Sequence, residues 1–216
     1  MAMADWSSFL PSVITTLSGL GGVWLGARLT TRREELREAA KLERDARYLA
    51  ILVVAHLDRL IDGCVAVVGD DGTSYGQPAG KDGTLMATVK TPSFDPLSLD
   101  VEWKALPADL MYGILSLPYN IEVLNHKISM TGEFDSPPDY SDFFWERQHG
   151  YADLGLKVLE LAYALRQYIG LPVIVQPDGE WCRDGYLKDQ KQGLEHLRAQ
   201  TMKSCPVGTS LERMSE

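Results

Sequence analysis

The chain has 216 residues, enough for one ordinary domain with an appendage. Its 21 basic and 30 acidic residues give a formal net charge of -9, with residues 28–47 carrying seven Lys/Arg against five Asp/Glu and residues 69–216 carrying 13 against 22. An acidic surface repels phosphate backbones, so no nucleic-acid partner is expected; the three dispersed cysteines, Cys64, Cys182 and Cys205, form neither a disulfide framework nor a zinc pattern.

From Trp6 through Ala27 there are 22 residues without a charge, bracketed by Asp5 and Arg28. As a helix they would span about 33 Å, enough for a hydrocarbon core of about 30 Å. Leucine, isoleucine, valine and Phe9 favour insertion while the Ser, Thr, Gly and Pro11 between them oppose it, which leaves the summed hydropathy near balance. The flanks decide for an anchor. Trp6 and Trp24 would lie about 27 Å apart, one indole near each membrane interface. Ser18, Gly22 and Gly26 form a small-xxx-small ridge suited to self-association of two such helices. Arg28, Arg32 and Arg33 lead a cluster of basic residues after the run, and only Asp5 precedes it. The positive-inside bias therefore predicts a single-pass helix in the inner (plasma) membrane, N-terminus out and the remainder cytoplasmic. A cleavable signal would place its basic residues first, so that reading fits poorly.

The expected organisation is a transmembrane helix at 1–29, a charged stalk helix at 30–45, a cytosolic helical bundle at 46–205 and a flexible tail at 206–216. In the stalk, Glu34/Arg37, Glu38/Lys41 and Glu43/Arg47 stand at helical spacings. From Ala46 a single apolar face runs through Leu49, Ala50, Val53, Val54, Leu57, Leu60, Ile61, Cys64, Val65 and Val68, and ends at "GDDG". A second stripe, Leu110, Ile114, Leu117, Ile121, Leu124 and Ile128, alternates steps of four and three, with Pro118 placed to kink it. A third, Tyr151, Leu154, Val158, Leu161, Leu165 and Tyr168, stops at Gly170 and Pro172, with Asp139 or Ser141 as its N-cap. A weaker fourth helix from about Asp184 to Ser204 offers Leu187, Leu194, Leu197 and Met202. The fold class is thus mainly all-α, a four-helix-bundle-like domain. Loop 69–106 is long for a bundle connection, and its run 84–92 is expected to pair with 171–177 as a small two-stranded ribbon.

Tempting motifs dissolve on inspection. "GQPAGKDG" at 76–83 lacks one spacer residue and the Ser/Thr of a phosphate loop. Asp70 and Asp71 lack the alternating ligands of a calcium loop and read as a turn. Glu146 with His149, and Glu122 with His126, have metal-ligand spacings, but by helical phase against Tyr151 and Leu124 they face away from the core. His56 and His196 have no nucleophile in a recognisable arrangement. No catalytic residue, metal or cofactor is therefore assigned. The aromatic corner Tyr140, Phe143, Phe144 and Trp145, rimmed by acids, is the candidate partner surface, against the simpler alternative that the rings are core.

These features predict a membrane-anchored, non-enzymatic interaction or scaffold module, bound to the lipid bilayer and self-associating through Ser18, Gly22, Gly26 and the stalk. Two alternatives follow from the same residues. One is a membrane-associated enzyme with a pocket between the bundle and loop 69–106; the other is a soluble helical oligomer whose N-terminal helix is buried by its partners.

Overall fold

The computed structural model describes the backbone of residues 10–172 and 181–204, with side chains for residues 28–172 and 181–203. Trp6, the tail 206–216, most of the run 171–177, and the side chains of Ser18, Gly22, Trp24 and Gly26 lie outside the described residues. Among the described residues no helix is long and apolar enough to cross a membrane.

Two units divide the chain, Met1–Arg47 and Tyr48–Glu216. In the first, residues 28–44 of helix α1 (Leu10–Val68) are exposed on every face, Leu29, Leu36 and Leu42 included. Charged side chains lie on every face of this segment.

The second unit is a helical bundle. Its first member is the C-terminal part of α1, whose apolar face is buried at every residue of the first stripe except Val65, with Val67 added. The second stripe is divided between α2 (Ala108–Leu115) and α3 (Leu117–Phe134). The chain turns at Ser116, and Pro118, in the first turn of α3, has no N–H to offer Ile114. Ile114, Leu117, Ile121 and Ile128 are buried, so the stripe keeps its phase across the break.

Helix α4 (Ser141–Tyr168) is the central element. It packs against α2, α3 and α5 (Arg183–Ser204) and pairs with α1 through Arg166 and Asp58. Its buried residues lie on several faces, Glu146, Arg147 and Gly155 as well as Tyr151, Val158 and Leu165. Its N-terminus is not capped by Asp139 or Ser141. Tyr140 adopts a left-handed conformation (φ 46°), and Asp135 reaches forward, its Oδ2 accepting from Phe143 N at 2.8 Å. In α5, only Leu187 is fully covered, Leu194 is half-buried, and Leu197 and Met202 are exposed, so α5 contributes less apolar cover than its leucines suggested.

The ribbon is elsewhere than expected. Strands β1 (Thr73–Ser74) and β2 (Gln77–Pro78) pair antiparallel, Thr73 with Pro78 and Ser74 with Gln77. Tyr75 and Gly76 both take positive φ between them, the geometry of a tight hairpin turn. Run 84–92 is not a strand. Its backbone is fixed instead by long-range bonds, Leu85 N to Pro138 O at 2.9 Å and the amides of Thr88 and Val89 to Asp70. Its residues lie along the bundle surface, half-buried or exposed.

Candidate functional site

The aromatic corner is built by the sharp entry into α4. Phe144 turns inward and is buried over Gly72, whose φ of 78° and lack of a side chain let the ring edge lie against the loop beside Leu85. It forms part of the core. Phe143 meets it edge-to-face at 5.2 Å and 86° and is half-buried, as is Tyr140. Trp145 lies towards α5, donating from Nε1 to Leu194 O at 3.3 Å. Its ring stacks on His149 at 4.6 Å, and the Arg198 guanidinium sits 4.0 Å from its centroid.

Among the described residues, open grooves border this corner on several sides. One of about 390 Å³ lies between α4 and α5, lined by Phe144, Trp145, Leu197 and Met202, with Asp142 and Arg198 paired at 3.1 Å on its rim. A second, about 520 Å³, lies between residues 84–87 and the ends of α3 and α4, with Tyr140 and Phe143 in its wall. A third, about 480 Å³, runs between α3 and α4 beneath Tyr119, Val123 and Lys127. Of the candidate partner residues, Tyr140, Phe143 and Trp145 line grooves near solvent, and the interior position of Phe144 makes it the support under them.

Helical phase had turned Glu146 and His149 outward. Glu146 is 8% exposed and bonded to Lys127 of α3 at 2.6 Å, and His149, its ring largely covered, meets Glu195 of α5 at 3.0 Å. A central helix has several inward faces, so a phase taken from Tyr151 alone misplaces them. The other pair, Glu122 and His126, is exposed, His56 is half-buried and His196 is exposed. Among the described residues no group of three His, Cys, Asp or Glu side chains could hold a metal ion. The glycine-rich stretch 76–83 forms β2 and the turns after it, with Lys81 and Asp82 exposed.

The buried polar chemistry lies beneath the corner, and most of it joins residues far apart in the sequence. Asp70 has its side chain fully covered. Its Oδ1 accepts from Gly72 N and Thr88 Oγ1, and its Oδ2 from Thr88 N, Val89 N and Arg147 Nη2, at 2.9 to 3.2 Å. Burial alone would raise this carboxyl, but the bonds from Val89, Thr88 and Gly72, with the charge of Arg147, outweigh it and hold the pKa below the ordinary value. Arg147 also donates to Val89 O, and its neighbour Gln148 donates to Asp70 O at 2.9 Å. Loop 69–106 is thereby bolted to α4. One signal for this did exist. Arg147 stands four residues before Tyr151, on the same core stripe, and a charge there demands a partner.

Beside this lock, Tyr151 donates to Asn125 Oδ1 at 2.8 Å, and burial above all raises its phenol pKa. Burial also pushes the Cys64 thiol up to about 12, so it stays protonated and is no nucleophile at neutral pH. A second lock ties the other end of the bundle together. Asp58 of α1 accepts from Arg166 of α4 at 2.6 Å and from Arg183 of α5 at 3.2 Å, and Arg183 also reaches Asp62 at 3.0 Å. The carboxylate of Asp70, saturated by neighbours, has no lone pair left for a substrate, and these networks fasten elements to one another. No protein-family model, curated protein or solved structure matches the chain.

Proposed function

We propose that this chain is a membrane-tethered interaction module without catalytic activity. The uncharged run 6–27 is its bilayer anchor, N-terminus out, the charged segment 28–45 is its spacer, and the helical unit is a cytoplasmic docking domain that offers the grooves around Tyr140, Phe143 and Trp145 to a protein partner. The observation that carries this reading is that one helix, Leu10–Val68, contains in order residues 10–27 of the uncharged run, a segment exposed on all sides and the apolar face of the core. A helix polar on all sides is one of the forms taken by segments that bridge solvent between two parts of a protein. The full set of donors on Asp70 supports a structural role for that carboxylate.

Fractionation of the full chain with an alkaline carbonate wash, together with a C-terminal reporter active only in the cytoplasm, tests the tether. Retention in the membrane pellet with an active reporter is the expected result. Release into the supernatant would overturn it and assign the glycine-rich helix to burial by protein.

A further inference from the structure

The outer face of α3 carries a row of apolar side chains that the bundle does not cover. Phe134 is 82% exposed, Tyr119 68%, Val123 50% and Met130 42%. At about 100° per residue these four fall within about 60° of arc, with exposed His126 in the same row. Two exposed apolar pairs, one towards each end of α3 with His126 and Lys127 between them, make this face a candidate docking face.

We propose that this row is a homodimer interface in which α3 packs antiparallel against α3 of a second copy. The spacing selects that occupant. From Tyr119 to Val123, Met130 and Phe134 the steps are four, seven and four, and the series reads the same in reverse. A two-fold axis between residues 126 and 127 therefore sets Tyr119 against the second copy's Phe134 and Val123 against its Met130, each contact made twice. That self-complementarity is what an isologous interface requires. The same alignment brings each Phe134 ring to the end of α3 where the groove of about 480 Å³, walled by Tyr119, Val123 and Leu124, opens between α3 and α4. An exposed aromatic entering an apolar groove is the usual form of an energetic anchor. Lys127 meets its symmetry mate beside the axis, and its charge is answered within its own chain by Glu146 at 2.6 Å. The four side chains offer on the order of 400 Å² per copy, given 150–250 Å² for a whole aromatic residue, so about 800 Å² in all, which is less than the roughly 1,000 Å² of a stable interface and makes this a weak, concentration-dependent dimer.

This pairing is independent of the anchor and of the ridge at Ser18, Gly22 and Gly26. Oxidative cross-linking of the full chain, in a background with Cys182→Ser and Cys205→Ser, tests it residue by residue. His126→Cys, next to the axis, is expected to form a disulfide-linked dimer. Tyr119→Cys alone is expected to remain uncoupled, because its symmetry mate is about 22 Å away along the helix. A mixture of Tyr119→Cys with Phe134→Cys is expected to couple. Adding Val123→Asp, a surface change whose folding is checked by circular dichroism, should abolish the His126→Cys product. Self-coupling of Tyr119→Cys, no coupling at His126→Cys, or an undiminished product with Val123→Asp would each overturn the proposal. Dimers held by the anchor alone would show none of this positional pattern, so failure here is distinct from failure of the tether.

Discussion

Replacing Asp70 by Asn removes one charge and little volume, and it isolates what the buried lock contributes. In the folded chain the carboxylate accepts from Gly72 N, Thr88 N, Thr88 Oγ1, Val89 N and Arg147, and an amide offers only one acceptor oxygen while turning an NH₂ towards donors. Arg147, 2% exposed with its Nε already unbonded, would keep a single carbonyl acceptor at Val89. Breaking a buried ion pair from one side costs about 3–5 kcal/mol, which in a domain of this size lowers the melting temperature by roughly 6–20 °C. Arg147→Met is expected to cost less, because the carboxylate left behind retains its backbone and hydroxyl donors, and the double variant should cost less than the sum. Urea unfolding of the full chain in mild detergent, followed by circular dichroism and tryptophan fluorescence, measures all three. An Asp70→Asn cost below about 1 kcal/mol, or Arg147→Met as the worse variant, would refute the reasoning.

Other outcomes follow from the same geometry. Because the Asp70 pKa is lowered on folding, its stabilisation is complete above the ordinary carboxyl range and is lost as pH falls through the folded value, so an acid titration of stability should be flatter for Asp70→Asn than for the parent. Cys64, raised from 9.0 to about 12, acts at the opposite end: its contribution is intact below pH 9 and declines as pH rises towards 12, by about 4 kcal/mol at the top of that window. In the Cys182→Ser, Cys205→Ser background, a thiol reagent at neutral pH should label Cys64 only as fast as the chain unfolds, and rapid native-state labelling would contradict its burial. Helix α5 is held to α4 by the buried Leu187 packed on Gly155 and, along its exposed side, by Lys191–Asp153 and Arg198–Asp142, each worth at most about 1 kcal/mol and screened by salt. High ionic strength should therefore speed amide exchange in α5 and leave α4 unchanged, whereas joint exchange of the two helices would count against this. At Gly155 a methyl group would lie 2.8 Å from Leu187 Cδ1 and 3.1 Å from Cys64 Cβ. Gly155→Ala is thus expected to destabilise by about 1–3 kcal/mol, against the usual gain for that exchange in a helix, and a stabilised variant would disprove the close packing.

The parts of this fold that were readable in the chain are those a single periodicity can express. In α1 one face meets the core, so the row from Leu49 to Val68 named the buried residues almost without error. In α4 several faces meet the core, and the same method named Tyr151 and Val158 while turning Glu146 outward. The break at Ser116 followed from Pro118, a local steric rule, and the cap of α4 did not follow, because Asp135 supplies it from outside the helix. Asp70 and Arg147 stand 77 residues apart, and nothing local to either names the other. Of the corner, the aromatic residues were legible, and the inward turn of Phe144 was fixed by Gly72, in a loop with no periodicity to read.

The central place of α4 also orders events during synthesis. The apolar face of α1 is complete once Val68 has been made, but Leu165 and Arg166, which close over it, emerge about a hundred residues later, a delay of roughly 5–20 s at usual elongation rates. During that interval a long amphipathic helix stands without its cover, its N-terminal end already free of the ribosome. The nascent chain is most exposed to aggregation then.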